Sequence, residues 1–347
     1  MAMASASPSC IKGLFSTPLS VANSSPLSMK SVSPSSQFER VESNIGEGTY
    51  GKVHKARDRE TGRLVAIKKA KASKLDTEVG GVSITALREI KLMQAVQHPN
   101  VMGYLEVFVE AGALHIVMDF MDGDLRKVIE DKGLVLNETH VKCLSRQILE
   151  GLAALHQEFF VHRDLSPGNI LLSFNTGVAR IGDFGFSRTI GHRDRPLTPM
   201  CTTMWYRAPE LFYGAKYYGQ TVDIWSVGCL IAEMFLREPF FQGKGEFDMM
   251  QKIFEKTGTP TEEVWKDVSA LPVFLPFSAF PRTSMAHWLP GVSTFAQSLV
   301  DGLLALDPKQ RPSAQDTLRH QFFGEWPAAC RPAELPFVFP AGGAAAA

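Results

Sequence analysis

His162-Arg163-Asp164-Leu165-Ser166-Pro167-Gly168-Asn169, followed by Asp183-Phe184-Gly185 and then by Ala208-Pro209-Glu210, decides how this sequence reads. Each segment is short enough to arise by chance. Their order carries the information, and the sequence upstream adds to it. Val65-Ala66-Ile67-Lys68 is a strand-like run ending on a lysine, and Leu87-Arg88-Glu89-Ile90 sits on a stretch with helical spacing. Further upstream lies Gly46-Glu47-Gly48-Thr49-Tyr50-Gly51-Lys52-Val53. Glycines at such spacing let a backbone approach phosphates that a Cβ would keep away. No helix follows this loop, which argues against the phosphate turn of a dinucleotide fold.

The chain's texture changes around these landmarks. Gly46–Lys55 and Leu64–Lys68 read as short strands joined by a turn at Thr61-Gly62. Ile84–Val96 reads as a helix with Ile84, Leu87, Ile90 and Leu92 as its apolar set, stopped at His98-Pro99-Asn100. Leu114–Phe120 is β-rich. Beyond Gly123 the patterns turn helical, over Thr139–Gln157, Val222–Leu236 and Phe295–Leu306. A small strand-rich half precedes a larger helix-rich half.

Composition excludes several classes. The 347 residues are 45% hydrophobic and 21% charged with formal net charge zero, so a nucleic-acid or membrane-surface role has no electrostatic support. Cys10, Cys143, Cys201, Cys229 and Cys330 are scattered, without the spacing of a disulfide framework or zinc site, and suit a reducing compartment. The most apolar run, around Leu271–Phe280, is broken by Pro272 and Pro276. Residues 1–37 are rich in serine and proline and contain no acid, so they read as a disordered tail. An acid-poor, serine-rich start also suits a transit peptide, and Ser7-Pro8, Thr17-Pro18, Ser25-Pro26 and Ser33-Pro34 would suit a regulatory tail.

Over residues 38–322 the ordered landmarks resemble the protein kinases, and within them the cyclin-dependent kinases. The resemblance implies an α+β bilobal fold, with a β-rich N-lobe over 38–121 and an α-helical C-lobe over 122–322; residues 323–347, with their prolines and Gly-Ala-Ala run, read as a loosely attached tail. It implies a serine/threonine kinase using ATP and Mg²⁺. Asp164 would accept the hydroxyl proton of the acceptor, Lys68 paired with Glu89 would hold the α- and β-phosphates, and Asn169 and Asp183 would bind the metal. The nucleotide would lie among Ile45, Gly46, Glu47, Gly48, Thr49, Tyr50, Gly51, Val53, Ala66, Asp119, Met121, Asp124 and Leu171, with Met118 as gatekeeper.

Further stretches carry the resemblance inward. Val82-Ser83-Ile84-Thr85-Ala86-Leu87-Arg88-Glu89 is similar to the family's cyclin-contacting helix, in wording nearest the branch of CDK-activating and RNA-polymerase-tail kinases. A cyclin is therefore the expected partner. Arg207, in Trp205-Tyr206-Arg207, matches the feature that directs such kinases to Ser-Pro and Thr-Pro sites in protein substrates. Thr198 matches the activating threonine, with Arg88, Arg163 and Arg188 at the positions that grip its phosphate. Thr49 and Tyr50 match inhibitory phosphorylation sites. Nuclear or cytoplasmic residence is expected, with organelle targeting by residues 1–37 as the alternative.

One departure matters. The family's catalytic loop carries a lysine where this chain has Ser166, and losing a cation beside the transferring phosphate should lower the rate. Arg193 and Arg195 are candidates to replace the charge. The rival reading is a nucleotide- or cyclin-binding scaffold with little turnover. Two milder departures are Thr203-Met204, without the basic residue common before Trp205, and Phe186-Ser187 after Gly185.

Overall fold

The computed structural model describes residues 34–48, 51–70, 84–110, 113–190, 196–198 and 203–338. A single helical turn, Pro34–Gln37, leads into the first lobe, where Gln37 accepts a hydrogen bond from the Arg59 amide. The reading of residues 1–37 as a tail otherwise falls on residues 1–33, outside the described residues. Five antiparallel strands form the lobe's sheet: β1 (Phe38–Gly48), β2 (Gly51–Asp58), β3 (Leu64–Ala70), β4 (Tyr104–Glu110) and β5 (Ala113–Asp119), in the order β1-β2-β3-β5-β4.

Gly46–Lys55 is thus a hairpin and not one strand: β1 and β2 pair from Phe38↔Asp58 to Gly48↔Gly51. Period alone could not reveal this, because Gly46 to Gly51 offers no apolar alternation to fix a reversal. Gly51 is required by packing, since a Cβ there would lie 2.3 Å from the Lys69 carbonyl oxygen on β3. Ala56, Val65, Ile67, Phe108 and Val117 pack as one small cluster, with Phe38 stacked on Phe108.

Helix α1 (Ile84–Ala95) packs beside β4 and buries Ala86, Glu89, Ile90, Leu92 and Met93. The apolar face thus differs from the expected one. Ile84 is 42% exposed, and a glutamate occupies a buried position.

The second lobe is helical. Its elements are α2 (Leu125–Glu130), α3 (Glu138–Gln157), α4 (Thr221–Leu236), α5 (Glu246–Thr257) and α6 (Thr294–Leu303). Helix α4 is hydrophobic nearly all round, as suits a helix at the centre of a core, with Trp225, Val227, Leu230 and Met234 fully buried. A three-stranded sheet of β6 (Gly123–Asp124), β7 (Ile170–Leu172) and β8 (Ala179–Ile181) forms the cleft side of this lobe. The last helix of the sequence reading, Phe295–Leu306, ends at Leu303.

The segment after residue 322 is not a loose tail as far as residue 338. Leu335 and Phe337 are buried at 2% and 1% exposure, and Phe337 lies 5.5 Å from the Phe174 ring. The buried Lys142 ammonium donates to the carbonyls of Glu325 (3.0 Å) and Pro327 (2.7 Å). Proline and alanine suggested disorder, yet two apolar side chains and one buried cation suffice to fasten the strap.

Candidate active site

Strand β3 carries Lys68 into the cleft and α1 carries Glu89 towards it. Their side chains meet at 2.6 Å, and Lys68 lies 3.4 Å from an Asp183 carboxylate oxygen. Both partners of the first pair are buried, at 9% and 3% exposure. Burial alone would lower the Lys68 pKa, but the facing Glu89 and Asp183 carboxylates more than offset it, so the ammonium is held charged.

Asp164 is fixed from two sides. The Thr203 amide (2.9 Å) and hydroxyl (3.1 Å) donate to its Oδ1, while Asn169 Nδ2 donates to its Oδ2 (3.2 Å) and to its carbonyl (2.7 Å). Burial raises the Asp164 pKa, and the Thr203 donors and the neighbouring His162 counter only part of that effect. A carboxylate with raised proton affinity is a better base than a free aspartate.

The loop itself is pinned from below. Asp223, fully buried on α4, accepts the backbone amides of His162 and Arg163, each at 2.8 Å. Arg163 and Asp183 both adopt left-handed backbone (φ 71° and 56°), a conformation costly for residues other than glycine unless the surroundings enforce it. His162 Nε2 lies 2.9 Å from the Gly182 carbonyl, tying the Asp164 loop to the Asp183 segment. The Gly182 amide also donates to the Asn169 carbonyl at 2.9 Å, so Asn169 is tied to the segment that carries Asp183.

The remaining residues of the sequence reading lie around the same cleft. Val53 faces Lys68 across the β2–β3 register, and Ala66 faces Met118 across β3–β5. Ile45 and Gly46 lie on β1, Leu171 on β7, and Gly51 opens β2. Asp119 ends β5, Met121 follows it, and Asp124 caps α2 by accepting the Lys127 amide at 3.0 Å. Glu47 and Gly48 belong to β1, whereas Thr49 and Tyr50 lie outside the described residues, as do Arg193 and Arg195. Ser166 is buried at 3% exposure at the head of the turn Pro167–Asn169.

The regulatory set is partly assembled. Arg163 Nη2 donates to the exposed Thr198 hydroxyl at 3.2 Å, and Tyr218 donates to the Thr198 carbonyl at 2.7 Å. Arg88 is exposed on α1, and Arg188 is half-buried, donating to the Ser187 carbonyl at 2.8 Å. Arg311 and Glu210 form a buried bidentate pair at 2.7 and 2.8 Å.

Sequence reasoning missed the clamp on Asp119. Its carboxylate takes Arg63 from the turn before β3 and Arg180 from β8, the latter at 2.6 Å. Arg180 also donates to the Pro99 carbonyl at 3.1 Å, so one residue between the lobes is held from both. No local pattern signals such a pair. Glu233 on α4 was missed too, although a glutamate in an otherwise apolar helix was a usable signal. Burial raises its pKa from the ordinary 4.5 to about 7, offset only in part by the Tyr206 hydroxyl and by Arg126. Because the folded state holds this proton more tightly, stability falls as pH rises from about 4.5 to 7, by about 3 kcal/mol in all. Urea titrations across that range check this: Glu233→Gln should remove that part of the slope.

Comparison with known proteins now bears on the arrangement. Residues 39–323 match the family described as Protein kinase domain. The chain belongs to the protein kinase family. The kinase is 39% identical over 300 residues to cyclin-dependent kinase 7 of Dictyostelium discoideum, covering 86% of this chain and 83% of that one. It is 41% identical over 292 residues to cyclin-dependent kinase D-1 of Arabidopsis thaliana, covering 84% and 72%. Among solved structures, the CAK complex of Chaetomium thermophilum bound to ATP-γ-S matches with TM-score 0.80 at 32% identity, covering 86% of this chain and 95% of that one. The yeast RNA Pol II CTD kinase CTDK-1 complex matches with TM-score 0.77, also at 32% identity, covering 90% and 99%. The kinase is therefore a serine/threonine protein kinase of the cyclin-dependent type, and it uses ATP.

Proposed function

We propose that this kinase transfers the ATP γ-phosphoryl group to serine or threonine followed by proline, in complex with a cyclin, in the manner of CDK-activating or polymerase-tail kinases. The observation that carries the reading is the closed Lys68–Glu89 pair at 2.6 Å with Asp183 beside it. Broken, this pair would leave the nucleotide phosphates without their cation; closed, it leaves the cleft ready for them. Asp164 would take the acceptor's proton, and Lys68 would hold the α- and β-phosphates.

The Asp183 carboxylate and the Asn169 amide oxygen suit magnesium, since both are hard oxygen donors and Asn169 spends its NH₂ on Asp164. Mg²⁺, when bound there, neutralises phosphate charge. Ser166 brings no charge near Asp164, so turnover should be lower than with a lysine there, while the base, the Lys68–Glu89 pair and the metal donors are all present.

Two features support the partner and the substrate class. Ile84 on α1 is 42% exposed, an apolar residue offered to solvent on the helix that carries Glu89. A cyclin docking there would hold that helix, and so Glu89, inward. Arg207 is buried between Glu246 (2.7 Å) and the Phe212 ring, which fixes the backbone where the residue after the acceptor would lie. Related assemblies of known structure include the CAK and CTDK-1 complexes.

The test is kcat/KM for paired peptides carrying Ser-Pro or Ser-Ala, with and without a co-expressed cyclin. Activity that rises with cyclin and falls at least about ten-fold on Pro→Ala is the expected result. Equal use of both peptides would overturn proline direction. Full activity of the isolated chain would overturn the cyclin requirement.

A further inference from the structure

The catalytic loop departs from its family at Ser166, and the space beside Gly168 is filled by another side chain. A Cβ built on Gly168 would lie 3.0 Å from Arg126 Nη2, 3.4 Å from its Cζ and 3.7 Å from its Nε. The guanidinium therefore lies close beside Gly168, and a side chain at that position would have to push it aside. Arg126, exposed on α2, carries a full positive charge there.

Its charge acts on the helical lobe beside the loop. Burial raises the pKa of Glu233 and of Tyr206, and Arg126 offsets part of that rise in both, whereas the charged groups acting on Asp164 are His162 and Asp183. Arg126 sits at Gly168, four residues along the chain from the base. It charges the wall of the cleft further along the loop. Beneath it, Glu233 is buried at 4% exposure, and its Oε2 lacks a hydrogen-bond partner among the described residues. With Glu233 sunk and Arg126 outermost, a side chain arriving from solvent meets the cation first.

The loop gives the direction and the distance. The activation-segment residue Thr203 holds Oδ1 of Asp164, on the side that leads to Arg207, while Asn169 holds Oδ2. If the residue after the acceptor lies towards Arg207, the residues before it run towards Gly168 and α2. From Asp164 to Gly168 the chain includes a tight helical turn, a span of roughly 8–10 Å. An extended peptide covers about 7–10 Å in two to three residues.

We propose that Arg126, seated on Gly168, is a specificity residue that selects an acidic or phosphorylated side chain two or three residues before the phosphoacceptor. The proposal rests on the proline-directed reading above, which fixes the peptide's direction. Peptides already phosphorylated upstream would then be preferred over unmodified ones, so this kinase would act after another.

The experiment measures KM and kcat for Ser-Pro peptides bearing alanine, glutamate, phosphoserine or lysine at the second or third position before the acceptor. The enzyme is the full chain with its cyclin, as wild type, Arg126→Ala and Arg126→Glu. Wild type should show KM lower than for alanine by roughly five-fold with glutamate and about ten-fold with phosphoserine. Lysine should raise it. Arg126→Ala should level the series and Arg126→Glu should invert it, and added salt should compress it. The same order of KM in all three enzymes, or a wild-type preference for lysine drawn by Glu233, overturns the proposal. A Ser-Ala version of the alanine peptide separates the two readings: equal use of it and its Ser-Pro counterpart would count against proline direction, whereas a level KM series on Ser-Pro peptides would count against Arg126.

Discussion

Asp164→Asn should lower kcat by about 10²–10⁴-fold, the range expected when a positioned base is removed, while the fold stays intact. The reason lies in the donors around the carboxylate. Oδ1 accepts two hydrogen bonds from Thr203 and Oδ2 accepts one from Asn169. An asparagine is the same shape, but its NH₂ must face donors on one side or the other. It also has no basicity to offer an acceptor hydroxyl. Turnover should collapse, whereas ATP affinity should move little, because Lys68, Glu89 and Asp183 are untouched. Steady-state kinetics with nucleotide-binding titrations check both halves. A variant that keeps more than about a tenth of its kcat would remove Asp164 from the chemistry.

Arg311→Ala should destabilise the protein by about 3–5 kcal/mol, the cost of stranding one partner of a buried ion pair. Arg311 grips both oxygens of Glu210 and also donates to the carbonyls of Ala305 (2.8 Å), Thr221 (3.0 Å) and Leu306 (3.2 Å). Its guanidinium lies 5.0 Å from the Trp225 ring. Removing it leaves a buried carboxylate and several carbonyls without donors. Since Glu210 directly follows Tyr206-Arg207-Ala208-Pro209, the loss should also loosen the segment that receives the peptide. Urea unfolding gives the stability change. Arg311→Ala with Glu210→Leu should cost less than Arg311→Ala alone, because it removes the stranded charge; equal costs would mean that the pair itself matters little.

The parts of the kinase that touch phosphate or proton were legible from sequence, because their chemistry admits few residue types. Nothing but an aspartate, an asparagine and a paired lysine serves at Asp164, Asn169 and Lys68, so the order of short motifs was enough to assign the fold. Interactions between distant residues were not legible. Arg180 and Asp119 are 61 residues apart, and Arg63 and Asp119 are 56 apart, so no local period links them. The strap after residue 322 was misread because its composition suggests disorder, while Leu335, Phe337 and the carbonyl partners of Lys142 supply the packing. Thr203 reads as a departure beside Trp205, yet with Asn169 it holds the base in place.

The central claim is that this chain transfers phosphate despite Ser166. It is tested most directly by incubating the full chain and its cyclin with γ-labelled ATP and a Ser-Pro peptide, with Asp164→Asn as the blank. The account predicts label on the peptide serine well above the blank, at a rate that rises further in Ser166→Lys. Tight ATP binding with peptide labelling no greater than the blank would contradict it, and would make the chain a nucleotide-binding scaffold.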